Sequence, residues 1–173
     1  MRNLRAICLL ICLLKAATFA RGQEAQPVWE IQGTTETSGF EVDLNAGTAV
    51  YTGGVRIEYG GAVLTAREAR VNRATGDVIA EGDVKLLYEG VLWTSEHVRY
   101  NFKTRYIEAE KFKTGRAPYF VEGEGLSYDL NTGTYTATNA LITSDDYGDP
   151  AQKIRARSIT FVPDDYVEAR GAR

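Results

Sequence analysis

Residues 71–86, from Val71 to Leu86, read VNRATGDVIAEGDVKL, and their alternation decides the fold. Val71 leads into a turn at Arg73-Ala74-Thr75-Gly76, after which Val78, Ala80, Gly82, Val84 and Leu86 follow at period two. That spacing puts every second side chain on one face of a strand. Gly76 stands where a short hairpin loop needs a positive φ, and the Thr75 side chain can hydrogen-bond nearby backbone. The stretch predicts strand, turn and strand, and its pattern returns along most of the chain.

Anchored on the apolar residue before each turn, the copies fall at Val42, Val71, Tyr100, Tyr128 and Phe161, with spacings of 29, 29, 28 and 33 residues. A fixed period of that length points to a repeat architecture. Two positions before each anchor stand Phe40, Ala69, Val98, Leu126 and Ile159, and five before it Thr37, Ala66, Ser95, Gly123 and Ala156, all small. The turns read VDLNAG, VNRATG and YDLNTG in copies one, two and four, whereas copy three keeps Asn101 but carries Arg105 in place of the glycine. Copy five substitutes Pro163-Asp164-Asp165. The turns of copies three and five are therefore expected to be irregular.

Small and apolar residues sit seven and five positions before the anchor, then two and zero, so the inward phase flips near Glu68 and Ala69. A strand that keeps its period but changes phase needs a bulge or a corner. The pattern thus predicts an all-β protein with two facing antiparallel sheets, about two strands per repeat, around one long apolar interior. Between copies four and five, TSDDYGDPAQ (residues 143–152) interrupts the period; it reads as a solvated loop, and its acidic spacing matches no known calcium loop.

Composition agrees. With 173 residues, 17 Gly, 10 Tyr and only 4 Pro, the chain fits one domain of many strands and tight turns. Arg2 and Arg5 precede the apolar run Ala6–Leu14, and Thr18-Phe19-Ala20 supplies the small residues before a cleavage site after Ala20, so residues 1–20 read as an export signal. Lys15 breaks a run already far short of the roughly 20 residues that span a membrane. Residues 21–27 are expected to be a disordered lead-in, and residues 28–173 the folded domain. Trp29 reads as core or as cover for the domain end. Both cysteines, Cys8 and Cys12, lie in the signal, and Ile11 is a poor residue to precede a lipid-modified cysteine. The folded part is thus expected to hold no disulfide. Loss of Arg2, Arg5 and Lys15 takes the formal net charge from −3 to −6, which argues against a nucleic-acid partner.

Catalysis lacks candidates. The sole histidine, His97, sits on a strand pattern beside Val98, and the sequence holds no nucleophile elbow, phosphate-cradling loop or His/Cys metal cluster. Glu81, Asp83, Glu108 and Glu110 occupy outward positions, where charge keeps strands soluble and protects edges. No catalytic residue, metal ligand or cofactor is expected, and the reading is of a protein that is not an enzyme.

The recurring apolar-Asp/Asn-x-x-Thr-Gly-x-apolar-x-Ala-x-Gly pattern is clearest in VNRATGDVIAEGDV and YDLNTGTYTATNAL, with LTAREARV and IRARSITF preceding two of the turns. In these stretches the chain resembles the OstA-like family of lipopolysaccharide transport proteins, over residues 34–173. The resemblance implies a β-jellyroll folded like a slightly open V, whose apolar interior holds lipopolysaccharide acyl chains in the periplasm. Two roles stay open within the family: a bridge between inner and outer membrane, or the N-terminal periplasmic domain of the outer-membrane translocon. The insert at 143–152 is closer to the translocon domain, while the cysteine common in that region of the translocon is absent here. Outside the family, an envelope scaffold or a polysaccharide-binding repeat protein fits the same pattern. The interior discriminates, since a lipid carrier needs an apolar groove open on one side and a scaffold a solid core.

The inward positions of the repeats make up the expected lipid-binding groove: Val55, Ile57, Leu64, Val71, Val78, Val84, Leu86, Trp93, Val98, Tyr100, Ile107, Val121, Leu126, Tyr128, Tyr135, Leu141, Ile154, Ile159 and Phe161. An unclosed repeat sheet leaves a strand edge at each end, the last being Tyr166–Arg173. Such edges invite head-to-tail docking with like β-jellyroll domains.

Overall fold

The computed structural model describes residues 27–116, 119–129, 132–144, 152–162 and 165–173. The expected export signal, all of the lead-in but Pro27, most of the 143–152 insert and part of the copy-five turn lie outside these residues. Thirteen strands are formed among the described residues: β1 (Glu30–Gly33), β2 (Gly39–Asp43), β3 (Thr48–Thr52), β4 (Val55–Tyr59), β5 (Ala62–Ala66), β6 (Glu68–Asn72), β7 (Asp77–Tyr88), β8 (Val91–Asn101), β9 (Ile107–Arg116), β10 (Tyr119–Asp129), β11 (Thr134–Thr143), β12 (Lys153–Val162) and β13 (Tyr166–Arg170). All pairings are antiparallel, in the order β1-β4-β5-β7-β8-β9-β10-β11-β12-β13, with β2-β3-β6 joined to the other half of β7. The two expected sheets are therefore two walls of one hydrogen-bonded sheet, because the long strands from β7 onward belong to both.

The quoted stretch is the place where the walls part. The C-terminal half of β7 pairs with β5, its N-terminal half with β6, and β8 runs along the whole of it. Opposite Glu96, β7 inserts Gly82 and Asp83, so that Glu81 pairs with His97 and Val84 with Ser95. Both inserted residues adopt positive φ, 75° and 50°, as a bulge that bends its strand requires. The bend continues across the molecule through Arg67, Lys111, Glu124, Asn139 and Arg157, each standing where the pairing skips. The Arg67 backbone holds the line together, accepting from the Gly54 amide at 2.8 Å and donating to the Gly82 carbonyl at 2.9 Å. This corner is the phase flip seen in sequence, centred on Arg67 between the buried Ala66 and Ala69.

Turn chemistry sets the free ends of the second wall. Asp43, Asn72 and Asn101 each accept two backbone N–H bonds from the following loop through Oδ1, at 2.9–3.1 Å. The copy-three turn, expected to be irregular, repeats the geometry of copy two. The Arg105 amide donates to the Asn101 carbonyl at 2.8 Å as the Gly76 amide does to that of Asn72 at 2.9 Å, and Arg105 takes the left-handed conformation, with φ 63°. Asn and Asp side chains that bond their own loop favour this turn, and the asparagine overrides the missing glycine.

Candidate functional site

Between the walls lies one apolar core, and register makes it continuous. Along the first wall, Ile31, Ile57, Leu64, Leu86, Trp93, Thr114, Val121, Ile142 and Ile154 stand opposite one another in turn from β1 to β12. Thr114 alone breaks the row, and its hydroxyl donates to the Leu92 carbonyl at 3.0 Å, so this row carries no unpaired hydroxyl. Along the second wall the row runs Phe40, Tyr51, Ala69, Ala80, Val98, Ala109, Leu126, Ala137, Ile159 and Ala169, from β2 to β13. At about 4.8 Å between neighbouring strands, each row is roughly 40 Å long.

Of the residues expected to line the groove, Val55, Ile57, Leu64, Val71, Val78, Val84, Leu86, Trp93, Val98, Tyr100, Ile107, Leu126 and Ile159 are buried together in this core. Val121, Tyr128, Tyr135 and Phe161 are partly buried against it, and Ile154 ends its row 52% exposed. Leu141 is different. It is buried but pairs with Glu122 and Arg155 on the outer face, where it forms the floor of a charged surface cleft, and Ile142 takes the inward place. The corner at Asn139 shifts the phase of β11 by one, which a fixed repeat count from the anchor does not register.

The middle of the interior is closed rather than open. Leu64, Val78, Val84 and Ile159 have no more than 1% of their surface exposed, and aromatic rings span the gap. Trp93 of the first wall stacks on Tyr135 and Phe161 of the second, with centroids 5.3 and 6.5 Å apart. Trp29 and Tyr59 meet Phe102 edge to face, at 5.2 and 6.3 Å, which makes Trp29 a cover at the domain end. Burial raises the pKa of Tyr100, against the pull of the nearby Arg105 charge, and pushes Tyr135 up to about 12, helped by Tyr128. Both phenols stay neutral at ordinary pH, as an apolar seam requires. The inward rows are exposed at the two edges: Phe40 is 71% and Val42 49% exposed on β2, and Val167 64% exposed on β13.

The model of the family described as "LptA/(LptD N-terminal domain) LPS transport protein" matches residues 35–165. The chain belongs to this family. Among solved structures it is similar to LptH, the LptA-homologous periplasmic component of the lipopolysaccharide transport device from Pseudomonas aeruginosa, with 15% identity, 83% of this chain and 82% of that chain covered, and a TM-score of 0.34. No curated protein matches the sequence. In this LptA/LptD-type domain no group of three or more His, Cys, Asp or Glu side chains is placed to hold a metal ion among the described residues. His97 lies half-exposed on the outer surface, 3.7 Å from Glu81.

Sequence reasoning missed two features of the site. One is the charge along the corner, where Arg67 reaches Asp83 at 3.4 Å and Glu96 at 3.6 Å, and Asn139 donates to Glu124 at 2.6 Å. The signal was available, since these residues stand at the phase flip of each copy. The other is Arg105, read only as a damaged turn. Its guanidinium crosses to the opposite wall, and nothing local announces that contact.

Proposed function

We propose that this domain carries lipopolysaccharide through the periplasm by sheltering its acyl chains between the two walls. The observation that carries the reading is the pair of apolar rows, interrupted only at the hydrogen-bonded Thr114, which run the length of the sheet and surface at both edges. Each methylene taken from water contributes about 0.8 kcal/mol, so one acyl chain of about a dozen carbons gains on the order of 10 kcal/mol before ordering costs. Recognition through the tails suits a protein of net negative charge, and it needs no catalytic step. The closed middle means that the walls part to admit a chain. By the interior criterion the closed middle is what a scaffold would show; the carrier reading is supported instead by membership of the lipopolysaccharide transport family and by inward rows left exposed at Phe40 and Val167 on the edges.

The same edges support a bridging role. Among the described residues β1, β2 and β13 each pair on one side only, and the inward rows emerge there. A like domain added to an edge would extend both the hydrogen-bond ladder and the apolar seam.

The test is to purify the protein from the periplasm of a lipopolysaccharide-producing cell, extract it and analyse the extract by mass spectrometry, with a photoreactive residue at Leu126 or Phe161 to mark the contact. Acylated lipopolysaccharide in the extract and adducts at both positions are the expected result. An extract free of acylated lipid, with no adduct at either position, refutes it.

A further inference from the structure

β7 has twelve residues, and a flat strand of that length separates its ends by about 36 Å. Arg105 is anchored at the Asp77 end, because its amide bonds to Asn101 and the Asn101 side chain bonds to Asp77 at 3.0 Å. Yet its guanidinium lies 4.3 Å above the ring of Tyr88, at the other end of the same strand, and Nη2 donates to the Gly60 carbonyl at 2.8 Å. Gly60 and Tyr88 lie at the free end of the first wall and Arg105 at the free end of the second. The side chain thus spans the mouth between the walls.

Three details fit a contact made to be released. The β4–β5 turn leaves room for it, since a Cβ on Gly60 would lie 3.1 Å from Arg105 Nη2. Arg105 holds a left-handed φ of 63° where copies one and two have glycine, so a costlier residue stands where the cheap one suffices for the turn. Closure also buries Arg105 Nη1 and the Tyr100 hydroxyl, neither of which has a well-formed hydrogen bond among the described residues, although Arg105 stands close enough to Tyr100 to oppose its pKa rise. Buried polar groups held in poor geometry offset part of what the Gly60 hydrogen bond and the cation–π contact contribute, so the mouth is closed but weakly held.

We propose that Arg105 is a clasp across the mouth of the interior, and that acyl chains enter sideways between Arg105 and Tyr88 when it lets go. The inference rests on the carrier reading above and names its entry point and controlling residue. Behind the clasp, Trp29, Tyr59 and Phe102 form the second barrier, and Leu64 and Val78 lie on the walls beyond. Lysine at 105 would keep the charge but lose the planar fork that bonds and stacks at once.

The test compares wild type, Arg105→Gly and Arg105→Lys. Arg105→Gly supplies the residue that copies one and two use at this turn, so it should fold, as circular dichroism would verify. Stopped-flow uptake of cis-parinaric acid, a fluorescent fatty acid, should be about tenfold faster in Arg105→Gly, the scale of one hydrogen bond plus one cation–π contact, and intermediate in Arg105→Lys. A readout without ligand uses Trp93→Phe as background, leaving Trp29 as reporter: acrylamide should quench it more strongly once Arg105 is glycine. Equal uptake rates and equal quenching in all three would overturn the clasp while leaving the carrier reading intact. Stronger quenching with no uptake by any form would keep the clasp contact and sink the carrier reading.

Discussion

Replacing Gly82 by alanine should unsettle the whole domain, because that residue makes the corner. Gly82 holds φ 75° in the bulge of β7, and an L-residue in the left-handed region costs about 1–2 kcal/mol. A Cβ there would also run into the Arg67 guanidinium. Arg67 is an exposed side chain and can swing away, losing ion pairs to Asp83 and Glu96 worth at most about 1 kcal/mol together. If the backbone shifts instead, the Arg67-to-Gly82 hydrogen bond of 2.9 Å weakens, at about 1 kcal/mol. Gly82→Ala should therefore cost about 1–3 kcal/mol, a fall in melting temperature of about 2–4 °C per kcal/mol for a domain of this size. The neighbouring position gives the control. Asp83 holds φ 50° without being glycine, so Asp83→Gly relieves strain, loses one exposed ion pair and should leave stability unchanged or raised by about 0.5 kcal/mol. Thermal and urea melts of the two variants should move apart. A Gly82→Ala protein that melts like wild type, or an Asp83→Gly protein as damaged as Gly82→Ala, would show that backbone conformation does not set the corner.

Three more outcomes are expected. Asn101→Ala removes the acceptor of the Lys103 and Thr104 amides and the donor to Asp77; it should cost about 1–3 kcal/mol, measured by urea unfolding. The Asp77 carboxyl, held below 3.8 first by Thr75 and then by Asn101, should move toward its ordinary value in that variant, as NMR titration would show. Tyr135 keeps its proton to about pH 12 in the fold but to only about 10 when unfolded; its share of stability is thus complete below about pH 10 and lost as pH rises toward 12. Urea melts across that range should show the decline, and Tyr135→Phe should flatten it. Val167→Lys, at a 64% exposed site on the β13 edge, should leave melting unchanged and abolish association between copies in light scattering, if edge docking is the mode of bridging.

Much of this was legible from local pattern. Period two, the 28- and 29-residue spacings and the phase flip led to an all-β repeat with a corner, because alternation and turn chemistry act between neighbours in sequence. The face of Leu141 was misread because β11 crosses the corner at the left-handed Asn139 without the inserted residue that keeps β7 in phase, so its count moved by one. The copy-three turn was misjudged because Asn101, rather than the glycine, carries it.

The sequence by itself determined the strands, the turns and the apolar rows, since each depends on side chains a few residues apart. Only the tertiary structure decided that the rows close on one another, that Trp93 meets Tyr135 and that Arg105 reaches Gly60 forty-five positions away. Those contacts depend on how far the corner folds the sheet, a property of the bends of all its strands acting together that no single copy of the repeat encodes.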